Sequence, residues 1–301
     1  MSNSRRCRSA WAEATALALI PSDAGLLALQ AGVVAAPRAL DPGWARRLGR
    51  LRGRGWALIP VASIVGVIFA IRYASATATW LTYLSLVAVP ILAAVALGWV
   101  ARGARPWLVL VAAGLFVVAW RTPQSLSGEA AGALLSGLSC VTLGVLLAAV
   151  TPSRWLKVGI IAMACADVWL IASNQLQAPN NVLAAAKPSA GLPQLQSEQF
   201  GSITIGYGDL FVAALLGGVF ASRVRVQRVA AALTLVIAAT FDLLFLVVDN
   251  LPATVPVALA LLITEMGLAR GRRVGGQAGG GGVSARCDRS RQEDAIPPPA
   301  T

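Results

Sequence analysis

The chain contains no histidine. That absence removes Ser–His–Asp and Cys–His nucleophile pairs, HExxH zinc sites and His-ligated haem. Carboxylates, Cys, Tyr and Lys are left for any acid–base chemistry near neutral pH. Lysine is almost missing too: of 25 basic residues only Lys157 and Lys187 are not Arg. Charge as a whole is scarce, 13% of 301 residues against about a quarter in a soluble domain. An ordinary soluble globule and a disordered or fibrous chain are therefore both excluded. The four cysteines, Cys7, Cys140, Cys165 and Cys287, are scattered and form no CxxC pair. Neither a disulfide framework nor a zinc site is indicated.

What is present is apolar. Hydrophobic residues make up 57% of the chain and the mean hydropathy is +0.70. They lie in long runs separated by short Arg-bearing gaps, and a membrane span needs about 20 such residues. The runs 56–71, 77–100, 106–120, 128–150, 155–173, 203–221, 228–248 and 251–268 read as eight spans. A ninth and weaker one, 10–36, contains Glu13, Pro21 and Asp23. Trp56, Trp80, Trp99, Trp107, Trp120 and Trp155 fall near run ends, as an interfacial belt requires. The expected fold is an all-α polytopic membrane protein, a bundle of about nine transmembrane helices, with residues 1–269 forming one transmembrane domain. The polar stretch 174–202 reads as a mobile exterior loop and the Gly-, Arg- and Pro-rich stretch 270–301 as a disordered tail.

The net charge of +12 comes from Arg in the gaps and tails. No basic stripe with interleaved aromatics appears, so a nucleic-acid partner is not expected. One side collects Arg38, Arg46, Arg47, Arg50, Arg52 and Arg54, then Arg102 and Arg105, Arg154 and Lys157, and Arg223, Arg225 and Arg228. The positive-inside rule makes that side, and the C-terminus with it, cytoplasmic. A multi-pass protein of the plasma membrane, with the lipid bilayer as its surroundings, is the expectation.

Ionisable groups inside apolar runs are expensive and are functional candidates by default. Asp167 is central in MACADVWLIA and Asp209 follows two glycines in Gly206-Tyr207-Gly208-Asp209. They occupy consecutive runs, which as helices would be antiparallel and could bring both carboxylates to one depth. Gly206 and Gly208 would permit close backbone approach. Asp242 and Glu265 lack such a context and read as packing residues, while Glu129 and Asp249 sit at run edges. The last run begins Leu251-Pro252-Ala253-Thr254-Val255-Pro256-Val257-Ala258-Leu259. Two prolines at its start suit either an ordinary helix entry or a partly unwound one bordering water.

GYGD, the Asp167 of the preceding run and the Pro- and Ala-Leu-bearing start of the last run resemble the presenilin and signal peptide peptidase family of intramembrane aspartyl proteases. With 10–36 counted as a span, the three elements fall in the sixth, seventh and ninth spans, as in that family. Asp167-Val168-Trp169 is similar to the signal peptide peptidase context. Ala166 stands where the family has Tyr, and the Pro-Ala-Leu element is split, with Pro256-Val257-Ala258-Leu259 as its nearest equivalent.

The resemblance implies a presenilin-like bundle with Asp167 and Asp209 as catalytic residues. Gly206, Tyr207, Gly208, Pro252, Pro256, Val257, Ala258 and Leu259 would support substrate. The substrates would be transmembrane helices or signal-peptide remnants. No metal and no organic cofactor is implied. Prepilin peptidases share GxGD but usually carry a Lys soon after it, where this chain has Leu210-Phe211-Val212. A proton-coupled transporter is the rival from another class, since Gly- and Pro-interrupted spans with intramembrane Asp also describe a midplane binding site.

Overall fold

The computed structural model describes residues 24–59, 62, 66, 75–123, 125–173, 192–193, 195, 197–200, 203–244 and 252–279. It divides into two units, 1–261 and 262–301. The regular structure among the described residues is helical apart from one small hairpin. Helix α1 spans Ala24–Ala35 and α2 Pro42–Gly49. Helix α3, Ser75–Val95, continues into a π-helical turn, Ala96–Val100. Helix α4, Val109–Arg121, is entered through a 3-10 turn at Pro106–Leu108. Then come α5, Leu126–Val150, and α6, Ser153–Ala172. Strands β1, Ser197–Phe200, and β2, Ile203–Gly206, pair antiparallel, with Phe200 opposite Ile203 and Ser197 opposite Gly206. The chain passes directly into α7, Tyr207–Phe220, then α8, Val224–Leu244, and α9, Val255–Gly279.

Local signals explain the boundaries. Ser125 caps α5 by accepting the Gly128 N–H at 3.2 Å. Thr151-Pro152 separates α5 from α6, because Pro at a helix start gives up an N–H that would have no partner there. Among the described residues, four apolar stretches are long enough to cross a membrane: Thr79–Val100, Leu126–Val150, Ser153–Ala172 and Val224–Leu243. Helices α1, α4 and α7 are apolar but shorter. The six tryptophans at run ends are all exposed on the outside of the protein, as residues facing a lipid interface would be.

Helix α7 is the centre of the first unit. Leu210, Val212, Ala213, Ala214, Leu215, Leu216 and Phe220 are buried, and α5, α6 and α8 pack around it. Its approach to α5 is very close. A Cβ placed on Gly144 would sit 2.6 Å from the Ala214 carbonyl oxygen, and one on Gly218 would sit 2.8 Å from the Gly144 oxygen. In lipid no hydrophobic effect draws helices together, and dispersion between closely approaching backbones takes its place. Helix α1 lies against the same pair, since a Cβ on Gly137 of α5 would meet Leu29 at 2.9 Å.

At one end of the bundle, hydrogen bonds tie the loops together. Arg38 N donates to the Val100 carbonyl at 3.1 Å and Arg102 N to the Ala36 carbonyl at 2.8 Å. The Arg102 guanidinium reaches the Ala221 carbonyl at 3.0 Å and the side chain of buried Gln227. Gln227 in turn donates to the Val34 and Pro37 carbonyls at 2.8 and 3.0 Å. Gly53 N meets the Val150 carbonyl at 3.1 Å. Loops that the sequence assigns to one side by their arginines thus converge on one arginine end.

Several expectations change. The run 203–221 is not helical throughout: Ile203–Gly206 is strand, and α7 starts only at Tyr207. Ile203, Thr204 and Ile205 include three β-branched side chains in a row, which suit a pleated ribbon better than a helix. Part of the supposed loop 174–202 is strand β1, for the same pairing. Residues 174–191 lie outside the described residues, as do 10–23, most of 56–71 and 280–301. The segment up to Gly279, read as disordered, continues α9 as helix, since extending an existing helix costs far less than starting one. Residues from Leu262 onward make up the second unit.

The close crossing gives a direct test. Gly144→Ala should destabilise the protein by about 1–3 kcal/mol, because the added methyl has no room against the α7 backbone. Gly114→Ala, on α4 with nothing within 4 Å of its Cβ position, should be neutral or slightly stabilising. Thermal unfolding in detergent measures both, and equal melting of the two variants would contradict the crossing.

Candidate functional site

Asp209 owes its position to the way α7 begins. Gly206, with φ −70 and ψ 142, is the last extended residue and the N-cap. The third helical residue, Asp209, turns its Oδ2 back to accept the Gly206 N–H at 3.2 Å, half of a capping box. The α5 face beside it is made of small polar residues. The Ser139 hydroxyl and the Tyr207 phenol are hydrogen-bonded at 2.8 Å, and the Cys140 thiol lies 3.7 Å from the Tyr207 carbonyl. Ser136 is 3.5 Å from the Leu195 carbonyl, so the same face also holds a residue just before the hairpin. The first turn of α7 is pinned from one side while its N-terminus stays open. Gly206 and Gly208 are exposed, and a Cβ on Gly208 would meet nothing within 4 Å. Among the described residues, therefore, nothing makes the close approach expected at Gly208.

Asp167 sits near the end of α6 and binds the entrance of α9. Thr254 donates its hydroxyl to Asp167 Oδ2 at 2.7 Å. Thr254 is the residue from which α9 springs: its carbonyl accepts the Ala258 N–H at 3.2 Å. Gln30 of α1, itself buried, holds the neighbouring Ala253 carbonyl at 3.1 Å. The two prolines take ordinary places. Pro252 closes the turn by accepting the Val255 N–H at 3.2 Å, and Pro256 lies in the first helical turn. Val257 and Ala258 are buried and Leu259 is exposed.

The two carboxylates come to a common level. From Ser153 to Asp167, α6 rises about 21 Å, and from Phe220 back to Asp209, α7 rises about 17 Å. Both helices start or finish at the arginine end. Measured against a hydrocarbon layer of about 30 Å, both side chains stop short of the far surface. Helices α6 and α7 pack on each other. A pair of carboxyl groups in mutual range can share a proton. Beside them lie the N-terminus of α7 with its exposed Gly206 and Gly208, and a hairpin that is two-stranded among the described residues.

Asp242 is half-buried on α8 and Glu265 half-buried in the second unit. Asp249 and Glu13 lie outside the described residues. Sequence reasoning missed Thr254, Ser139 and Gln30. Thr254 carried one signal, being a hydroxyl between two prolines at a helix start. Ser139 and Gln30 sit in apolar runs whose polar residues have no distinguishing spacing.

No protein-family model matches the chain, and no curated protein or solved structure does either.

The Thr254 contact can be tested without any assay of function. Thr254→Val keeps the shape but removes the hydroxyl, leaves the half-buried Asp167 carboxylate short of a donor and should cost about 1–3 kcal/mol. Thr254→Ser should retain most of that. Unfolding in detergent reads both, and a Thr254→Val protein as stable as the parent would mean that the contact contributes nothing.

Proposed function

We propose that the chain is an intramembrane aspartyl protease with a presenilin-like arrangement, in which Asp167 and Asp209 form the catalytic dyad. One observation carries the reading. Two carboxylates from helices that pack on each other stand at matching height, next to a helix start whose two glycines are exposed.

In the proposed reaction the dyad holds one proton. The ionised member takes a proton from a water molecule, whose oxygen adds to the scissile carbonyl carbon. The protonated member donates to the carbonyl oxygen as it gains charge. Collapse of the tetrahedral intermediate passes a proton to the departing amine and breaks the C–N bond. The protein's part is to hold both carboxyls in register. Thr254 fixes Asp167, while the Gly206 N–H and the Ser139–Tyr207 contact fix Asp209.

The substrate would be a transmembrane segment, or a signal-peptide remnant, unwound locally because a helical peptide bond is shielded. The outer edge of β1 or β2, unpaired among the described residues, could receive that extended segment by strand addition, and no described residue lies within 4 Å of a Cβ on Gly208 to keep its backbone from Asp209. This places the pairing strand before α7, where the sequence suggested backbone near Pro252–Leu259. Buried Pro256, Val257 and Ala258 would then support α9 from within. With the arginine end cytoplasmic in a plasma membrane, the dyad would lie toward the outer side, as in signal peptide peptidases.

Purified full-length protein, incubated with a panel of transmembrane peptides, should cleave within the membrane-embedded part of at least one. Asp167→Asn and Asp209→Asn should each lower turnover by about a thousandfold or more, and Asp242→Asn by less than about tenfold. The pH–rate profile should be bell-shaped, because either full protonation or full ionisation of the pair removes one of the two roles. Loss of ion-coupled uptake in the Asn variants, with no peptide cut by the parent, would favour a carrier instead.

A further inference from the structure

The search for a second functional surface leads to the arginine end. Helix α2 buries none of its residues. Trp44, Leu48 and Leu51 recur at helical spacing and form one apolar stripe, with Trp44 59% and Leu51 60% exposed. Arg46 and Arg50 lie on the opposite, polar side, and the Arg47 guanidinium, on the flank, stands 5.6 Å from the Trp44 ring centre. Arg52 and Arg54 follow at once, then Trp56, Leu58 and Ile59, all exposed. Asp41 is engaged with Arg38 at 3.4 Å. Among the described residues, no acidic side chain is paired with Arg46, Arg47, Arg50, Arg52 or Arg54.

The position of this segment is set by hydrogen bonds at both ends. Arg38 N reaches the Val100 carbonyl, where α3's membrane-length stretch stops, and Gly53 N reaches Val150, the last residue of α5. The segment is therefore held at the level where two membrane-length helices end, the level of lipid headgroups.

We propose that α2 and the turn to Arg54 form an interfacial anchor for an anionic lipid surface, with Trp44, Leu48 and Leu51 entering the acyl boundary and the arginines meeting headgroup phosphates. An amphipathic basic helix with Trp and Leu on its apolar face binds in this way. Arginine suits the role because its planar fork pairs with phosphate bidentately. The occupant is a lipid surface rather than a nucleic acid, since a nucleic acid would leave the three-residue apolar stripe in water.

The test uses the full-length protein reconstituted in phosphatidylcholine vesicles with and without phosphatidylglycerol. Cys7, Cys165 and Cys287 are replaced by Ser, buried Cys140 is kept, and Leu51→Cys carries a nitroxide. With phosphatidylglycerol present the label should become more accessible to oxygen and less so to a water-soluble nickel chelate. Arg46→Gln, Arg47→Gln and Arg50→Gln should each lower the ratio of inserted to exposed label about fivefold, and high salt should do the same to the parent. These arginines are outside the core, and unchanged thermal unfolding verifies that the variants fold. A label equally water-exposed in both lipids would overturn the proposal. So would one that responds to an added RNA oligonucleotide but not to phosphatidylglycerol.

Discussion

The first N–H groups of a helix have no partners within the helix, and a bilayer interior offers no water to supply them. That constraint bears hardest on α7. Its 14 residues make about 21 Å of helix, less than a hydrocarbon layer of about 30 Å. A short hairpin leads into it, and Asp209 turns back to satisfy the N-cap amide. At the entrance of α9 another helix supplies a carboxylate, with Asp167 accepting the Thr254 hydroxyl. Each aspartate therefore has a structural role at a helix entrance, Asp209 at that of α7 and Asp167 at that of α9. Capping and chemistry do not compete here, because a carboxylate has about four lone-pair sites.

The rest of the first unit serves that placement. Backbone contact between Gly144 on α5 and Ala214 on α7 fixes the depth of α7 with hardly any side chain between them. The Arg102–Gln227 contacts lock the opposite ends of α1, α3, α7 and α8, so that α7 is held at its foot and free of cover at its head. Gln30 and Ser139 reach the site from α1 and α5. Polar side chains in a membrane bundle are conspicuous because each needs a partner. Gln30, Ser139 and Thr254 find theirs near the two aspartates, and Arg102 and Gln227 at the arginine end.

How much of this could be read beforehand depended on the type of signal. The runs 77–100, 128–150 and 155–173 correspond to the membrane-length stretches Thr79–Val100, Leu126–Val150 and Ser153–Ala172, because length and hydropathy alone determine such helices. Asp167 and Asp209 were visible as charges where charge is costly. The start of α7 was not, since Ile203-Thr204-Ile205 is as apolar as a helix segment and only pairing with Ser197–Phe200 makes it a strand. The Thr254–Asp167 bond joins residues 87 positions apart, and nothing local announces it. Helix α2 was hidden for another reason: its arginines marked it as a loop, and the spacing of Trp44, Leu48 and Leu51 becomes meaningful only once the segment is seen to be helical.

The central claim is that Asp167 and Asp209 act on one bound group. The most direct measurement is the affinity of the full-length protein for a transmembrane peptide in which one peptide bond is replaced by a hydroxyl-bearing isostere of the tetrahedral intermediate. Such a group hydrogen-bonds to both members of a dyad and binds far more tightly than substrate. The account predicts tight binding to the parent and a loss of about a hundredfold or more in both Asp167→Asn and Asp209→Asn, with the matching unmodified peptide affected little. Isostere binding that survives either substitution, in a variant that unfolds at the parent's temperature, would contradict a shared site.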